Sequence, residues 1–266
     1  MSNHLRVGIV GTGAMGRTHA HAWQQTPAKI SGFLSKSREP AQQLAAEYGS
    51  KLYDSLEELL PLIDVLDICA PTHLHREFTV AAAEAGVHVI CEKPLARTVS
   101  QAQEMIQVCE SAGVKLLVAH VVRFFPEYWQ AFNKVKAGAI GDPAIMRLRR
   151  GSYKPNKGNV SWFDDVEKSG GMLLDLMIHD FDYARWLAGN VKTVFAKSIG
   201  NERPEAKVDH ALAILTHENG VITHVEGSWA YPPPLFRTHF EIAGSTGLID
   251  HNSDVTSSLQ VFLHPD

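Results

Sequence analysis

Leu5-Arg6-Val7-Gly8-Ile9-Val10-Gly11-Thr12-Gly13-Ala14-Met15-Gly16 is the stretch whose reading decides the fold. Val7 to Val10 is a short run rich in β-branched residues and free of charge, the pattern of a parallel strand buried on both faces. It breaks directly into Gly-x-Gly-x-x-Gly at Gly11, Gly13 and Gly16, and a helical stretch from Arg17 to Gln25 follows. Strand, glycine turn and helix in that order are the context in which this pattern binds a dinucleotide. Gly11 permits a tight bend, Gly13 lets backbone approach a pyrophosphate, and Gly16 lets helix and strand pack closely. The pyrophosphate then sits at a helix N-terminus, where unpaired N–H groups and the helix dipole favour negative charge.

The residues beyond the turn extend the same architecture. Lys29 to Leu34 reads as a second strand, and Ala41 to Tyr48 as a helix. Lys51 to Tyr53 is a short strand, and Ser55-Leu56-Glu57-Glu58 has the spacing of a capping box. Strands at Asp64–Ala70, Val87–Cys91 and Lys115–Ala119 alternate with helices at Phe78–Ala85 and Ser100–Ala112. Repeated strand–helix units predict a parallel sheet with helices on both faces. Ligands in such sheets collect at the carboxyl ends of the strands. That predicts one crevice ringed by the loops after Val10, Leu34, Ala70, Cys91 and Ala119.

Near His120 the pattern changes. A helix is predicted at Pro126–Ala137, a half-exposed strand at Ala144–Arg150 and a helix at Gly171–Leu187. His217-Glu218-Asn219-Gly220 and Gly244-Ser245-Thr246-Gly247 read as hairpin turns, which predict antiparallel pairing. The expected class is therefore α/β at the N-terminus, residues 1–120, followed by an α+β domain over residues 121–266 with an open, mainly antiparallel sheet.

Composition sets the outer bounds. The chain has 266 residues, 45% of them hydrophobic and 20% charged, which suits a folded globular protein of two modest domains. A net charge of −4 gives no general reason to expect nucleic acid or an anionic membrane as partner. No apolar run is long enough to span a bilayer, and Met1-Ser2-Asn3-His4 lacks the pattern of a signal peptide. Cys69, Cys91 and Cys109 lie in or beside apolar segments, as buried thiols in a reducing cytoplasm would.

Several side chains suggest chemistry. A ribose-reading acid is expected about 20 residues past the glycines, near the end of the second strand. The residues there are Ser35, Lys36, Ser37 and Arg38. Hydroxyls with two cations suit a ribose 2′-phosphate, which favours NADP(H) over NAD(H) as the cofactor. Lys93 follows a buried strand and precedes a proline, at the crevice mouth, where an ammonium could hydrogen-bond a substrate hydroxyl and stabilise an alkoxide. Asp175 and His179 are four apart on a predicted helix, with Asp182 three further on, so carboxylate and imidazole share a face. Such a pairing suits general acid–base work. None of the 14 histidines falls in a recognised zinc spacing, so no metal is expected.

Taken together, these residues resemble the Gfo/Idh/MocA family of glucose–fructose oxidoreductase, inositol dehydrogenase and rhizopine-catabolism proteins, over nearly the whole chain. Gly11 to Gly16 looks like its cofactor turn, and Ala70-Pro71-Thr72 with His75 like the loop beside the nicotinamide ribose. Glu92-Lys93-Pro94 is similar to its most diagnostic tripeptide, and Ser169-Gly170-Gly171 through Asp175 and His179 to its second motif. The resemblance implies a Rossmann domain and reversible hydride transfer between NAD(P) and a carbinol carbon of a sugar, polyol or inositol. It implies proton handling by Lys93 and His179, in either order, with Asp175 orienting substrate or histidine. Arg123, Tyr153 and Trp162 are implied as substrate-side residues, and a homodimer or homotetramer built on the outer face of the second sheet. The family usually carries a closing helix and final strands beyond the point that matches Asp266, and by the resemblance these are expected to be missing from the sequence as given. A dinucleotide-binding sensor without turnover and a reductase of C=N bonds are the competing readings.

Overall fold

A computed structural model of the chain describes residues 4–155, 162, 165–199, 209–255 and 259–263. In chain order the elements are β1 (Arg6–Val10), α1 (Ala14–Gln24), β2 (Lys29–Leu34), α2 (Arg38–Glu47), β3 (Lys51–Tyr53), α3 (Leu56–Leu59), β4 (Val65–Ile68), α4 (His75–Glu84), β5 (His88–Glu92), α5 (Val99–Ala112) and β6 (Leu116–Ala119). There follow α6 (Pro126–Lys136), β7 (Pro143–Gly151), α7 (Val166–Ser169), a π-helical turn at Leu173–Met177, α8 (Ile178–Ala188), β8 (Val191–Ile199), β9 (His210–His217), β10 (Ile222–Ser228), β11 (Arg237–Gly244), β12 (Gly247–Asn252) and β13 (Leu259–Leu263). The chain divides into two compact units, Met1–Ala119 with Asp164–Ser169, and His120–Phe163 with Gly170–Asp266. The excursion that returns α7 to the first unit had no signal in the sequence. Glu167 is tied there, its carbonyl oxygen accepting the Arg97 Nε–H at 2.8 Å.

The first unit is a six-stranded sheet in the order β3-β2-β1-β4-β5-β6, parallel throughout. Its central strands are apolar on both faces because helices cover both. Val7 and Ile9 pack with Phe33 and Leu44 on one side, while Val10, Leu66 and Ile68 pack with Leu59 and Met105 on the other. Connections leave β1 toward β2 and β4 toward β5, so the strand order reverses between β1 and β4, the place where such sheets open a crevice at their carboxyl ends. The helix starts are set locally. Ser55 Oγ accepts the Glu58 N–H at 3.3 Å, but the Glu58 carboxylate reaches the Asp54 N–H rather than that of Ser55, so half of the expected capping box forms. Thr98 Oγ1 accepts the Gln101 N–H and starts α5, which ends at Gly113 with φ 67°.

The second unit is a seven-stranded sheet in the order β13-β12-β11-β7-β10-β9-β8. Its neighbours are antiparallel except β7 and β10, which run parallel. Both hairpins form as the turn residues predicted, joining β9 to β10 and β11 to β12, and Gly220 takes φ 88° in the first. The inner face of the sheet packs on α6 and α8 through Met146, Leu148, Tyr128, Tyr183 and Phe240. Counting by twos along β7 turns Ile145, Arg147 and Arg149 outward and Met146, Leu148 and Arg150 inward. The sequence read this stretch as a half-exposed strand that alternates apolar and basic side chains. Arg150 is instead 1% exposed.

No helix among the described residues is long and apolar enough to cross a membrane. The three cysteines are free thiols, Cys91 and Cys109 buried and Cys69 half-buried.

Candidate active site

In the first unit the glycine turn is built by close backbone contact. Gly11 has φ 91°, a region open to glycine, and a Cβ there would lie 2.5 Å from the Cys69 carbonyl oxygen at the end of β4. A Cβ on Gly16 would lie 1.9 Å from the Gly11 carbonyl oxygen, so α1 can pack on the turn only without a side chain at that position. Over Gly13 there is nothing within 4 Å, which leaves its backbone open to a ligand. Gly13, Ala14 and Met15 are exposed, whereas Thr12 is buried. No side chain caps α1, and its first turn carries no acid. The N–H groups of this eleven-residue helix therefore face outward beside an open glycine, and the residues present fit a dinucleotide pyrophosphate.

The second-strand loop is tied to this turn. Thr12 Oγ1 donates to Ser35 Oγ at 2.9 Å, and Ser35 Oγ also accepts the Ser37 N–H at 3.3 Å. Lys36 is exposed. Arg38, the first residue of α2, forms an ion pair with Asp54.

The loops after β4 and β5 are joined through His75. Its ring is 1% exposed, with Nδ1 2.9 Å from the Pro94 carbonyl oxygen and Nε2 2.9 Å from that of Ala70. Burial pushes the ring's pKa below its ordinary value, while the carbonyl oxygens of Ala70 and Pro94 act against that shift. His75 therefore sits behind the two loops and ties them together. Pro71 is half-buried and Thr72 is buried. Lys93 is half-buried at the end of β5, and its backbone N–H donates to Glu92 Oε2 at 3.0 Å. Glu92 itself is 6% exposed, its carboxylate turned inward.

A group that the sequence reading missed lies beneath the turn. His19, on α1, places Nδ1 3.0 Å from both oxygens of Asp67 and Nε2 3.0 Å from Glu92 Oε1. Asp67, on β4, is fully buried and also accepts the Trp23 Nε1–H at 2.7 Å. Burial alone would lower the His19 pKa, but the hydrogen bonds to Asp67, Cys69 and Glu92 outweigh it and raise it to about 12. His19, Asp67 and Cys69 are also a grouping of ligand-type atoms within 4.8 Å of one another. Both ring nitrogens are engaged by carboxylates, which suits an imidazolium rather than a metal ligand.

In the second unit Asp175 lies within the π-helical turn and His179 in the first turn of α8. Both are half-buried, and Gly170 and Gly171 before them have φ 81° and 65°. Short π segments inside helices recur at functional positions because the wider turn re-aims side chains. Asp180, the next residue, is 1% exposed and receives Arg150 from β7 in a two-pronged pair, at 2.8 Å from Nε and 2.9 Å from Nη2. Arg150 Nη2 also donates to the Tyr128 hydroxyl at 3.2 Å. Arg123 Nε donates to Asp182 Oδ2 at 2.7 Å, and its guanidinium lies 5.3 Å from the centre of the Trp186 ring. The Arg123 fork is thus occupied by Asp182, on α8. Tyr153 is exposed and forms an isolated bridge with Ala230, and Trp162 packs against the core.

Comparison with known proteins supplies the family. Residues 5–120 match the sequence model of the Gfo/Idh/MocA oxidoreductase family, NAD-binding Rossmann fold, and residues 128–250 match that of the Gfo/Idh/MocA C-terminal domain. The chain belongs to the Gfo/Idh/MocA oxidoreductase family. Among its relatives, myo-inositol 2-dehydrogenase of Thermotoga maritima is 31% identical over 233 residues, 84% of this chain and 68% of that one. Levoglucosan dehydrogenase of Pseudarthrobacter phenanthrenivorans is 31% identical, over 99% of this chain and 77% of that one. A solved levoglucosan dehydrogenase in complex with NADH and levoglucosan superposes with a TM-score of 0.90 at 29% identity, covering 99% of this chain and 77% of that chain. This Gfo/Idh/MocA chain thus spans about two thirds to three quarters of the length of these relatives.

One sequence signal could have found the missed group in this Gfo/Idh/MocA domain. Asp67 interrupts Val65-Leu66-Asp67-Ile68, an otherwise apolar run, and a carboxylate in a two-sided buried strand requires a partner. The run did not say that the partner is His19.

Proposed function

We propose that this chain is an NAD(P)-dependent dehydrogenase or reductase that moves a hydride between nicotinamide and a carbinol or carbonyl carbon of a sugar, polyol or inositol-like substrate. The observation that carries the reading is the adjacency of β1, β4 and β5: an open glycine turn, the Ala70-Pro71-Thr72 loop and Lys93 stand at neighbouring strand ends. The names of the relatives support the substrate class.

In this reading the N–H groups around Gly11, Thr12, Gly13, Ala14, Met15 and Gly16 hold the pyrophosphate, and Ser35 and Lys36 approach the adenine-side ribose. The bound nicotinamide supplies hydride exchange. Lys93 donates a hydrogen bond to the reacting oxygen, and either Lys93 or His179 takes the hydroxyl proton as the carbon loses hydride. Asp175 orients His179 or the substrate. The Lys36 and Arg38 cations favour a 2′-phosphate and hence NADP(H). Arg38→Ala is expected to weaken NADPH binding by several fold more than NADH binding, read by fluorescence titration, because a charge-assisted hydrogen bond to phosphate is lost. Equal losses for the two cofactors would remove this loop from cofactor choice.

The outer face of the second sheet supports a homodimer or homotetramer. One row across it runs Thr216, Ile222, Ile145, Ala243, Leu248 and Phe262 in register. Ile145, Ile222 and Phe262 are 37%, 39% and 53% exposed, an apolar stripe suited to a second copy. Ile222→Glu is expected to shift the mass measured by light scattering to that of the monomer, and an unchanged mass would move the contact elsewhere. Three free thiols support a reducing, cytoplasmic setting.

The test of the activity is titration with NADH and NADPH, then a panel of polyols, inositols and aldoses at alkaline pH. Turnover of at least one member is expected. Tight cofactor binding with no turnover across the panel would make the chain a sensor.

A further inference from the structure

Glu92 has two duties, and they meet on different oxygens. Oε2 accepts the backbone N–H of Lys93, and Oε1 lies 3.0 Å from His19 Nε2. The other side of the same ring faces Asp67. Two inward carboxylates, 0% and 6% exposed, are thus separated by one imidazole. An ionised carboxylate only accepts hydrogen bonds, so both ring nitrogens must carry protons to satisfy both acids. The cation that results offsets two buried negative charges.

We propose that the His19 imidazolium is a positioning residue for Lys93: clasped between Asp67 and Glu92, it fixes the Glu92 carboxylate that in turn holds the Lys93 backbone at the end of β5. This rests on the role given to Lys93 above. His19 lies three residues beyond Gly16, so the same helix that offers its N-terminus at the glycine turn also anchors the lysine loop. The groups facing the ring are Asp67 and Cys69 from the β4 side and Glu92 from β5, with Trp23 on its own helix completing the shell of Asp67. Nothing in this arrangement requires His19 to touch substrate.

Removing the ring leaves two carboxylates without their shared cation. Desolvation and a like charge then both disfavour ionising the two acids together, so the Glu92 link to the Lys93 turn becomes sensitive to pH.

The first arm of the test does not need turnover. In the full chain labelled with 15N-histidine, His19 is identified by the signal lost in His19→Gln. Both of its ring nitrogens are expected to stay protonated from pH 6 to pH 9, where an ordinary imidazole loses its proton near 6.5. A ring nitrogen that resonates as unprotonated in that range, bare or metal-bound, would overturn the proposal. The second arm is kinetic. His19→Gln is expected to lower kcat by tenfold or more, keep NADH affinity within about threefold, and add a new ionisation to the pH profile of kcat. Glu92→Gln made in the His19→Gln background should then cost little further kcat, since both changes break one link. Additive losses, or an unchanged pH profile, would overturn the positioning role. If His19→Gln does not fold, the His19 ring is assigned in the unaltered chain, labelled with 13C and 15N, through its bonds to its own backbone, and the NMR arm still decides. If the unaltered chain turns over nothing, the dehydrogenase reading fails while the imidazolium bridge is still tested by NMR.

Discussion

Lys93→Ala is expected to lower turnover by about two to four orders of magnitude while leaving NADH affinity within a few fold. The size follows from what a positioned proton-transfer group contributes to a rate. The direction follows from the construction of the loop. Its backbone is held by Glu92 Oε2, and His75 lies against the Pro94 carbonyl, so neither anchor uses the lysine side chain. The alanine variant should therefore keep the loop and the glycine turn and lose only the ammonium. Lys93→Arg sharpens the test. It keeps a positive charge near the reacting oxygen but cannot release a proton at working pH, so it should recover binding and little of the rate. The check is kcat and KM for the best substrate of the panel, with cofactor titration alongside. Unchanged turnover in Lys93→Ala would take this residue out of the mechanism and leave His179 as the group to test next.

Arg150→Met should destabilise the second unit by about 3–5 kcal/mol, the cost of leaving a buried carboxylate without its partner. Arg150 and Asp180 are each 1% exposed and joined by two hydrogen bonds, with the Tyr128 hydroxyl as a third contact. Burial alone would lower the Arg150 pKa, but Asp180 and Tyr128 hold it above its ordinary value, so the guanidinium stays charged at every accessible pH. The pair pins α8 to β7 one residue after His179. Four of the five tryptophans, Trp129, Trp162, Trp186 and Trp229, belong to the second unit, so urea unfolding followed by tryptophan fluorescence reports chiefly on that unit. The midpoint should fall sharply for Arg150→Met, and adding Asp180→Leu should restore much of the loss, because an apolar pair removes the orphaned charge. A midpoint within error of the parent for Arg150→Met would mean that the carboxylate finds water or another donor.

Much of the fold could be read locally. β2 and β3 fall on the residues predicted for them, and the ends of the other strands of the first sheet shift by at most two residues. A strand buried on both faces has to be an apolar run, and a glycine turn has to follow it in a fixed order, so short windows carry the information. β8 and β13 were passed over for the opposite reason. Phe195, Val194 and Leu263 are 61%, 63% and 62% exposed on edge strands, where no buried face enforces alternation. The π-helical turn was also invisible, since Leu173 to Met177 keep an apolar spacing that an ordinary helix would share.

From the chain alone came the sheet order's ingredients, the glycine turn, the Lys93 loop and the candidate pair Asp175 and His179. Each is a matter of spacing within one or two elements, and backbone sterics and periodic burial act over that range. Tertiary structure alone decided which charges face which. His19 meets Asp67 and Glu92 across 48 and 73 residues, and Arg150 meets Asp180 across 30. A buried charge must find a counter-charge, but the requirement names no partner. Only the folded packing brings one helix of the first unit over two strands, and one strand of the second under α8, and so makes those choices.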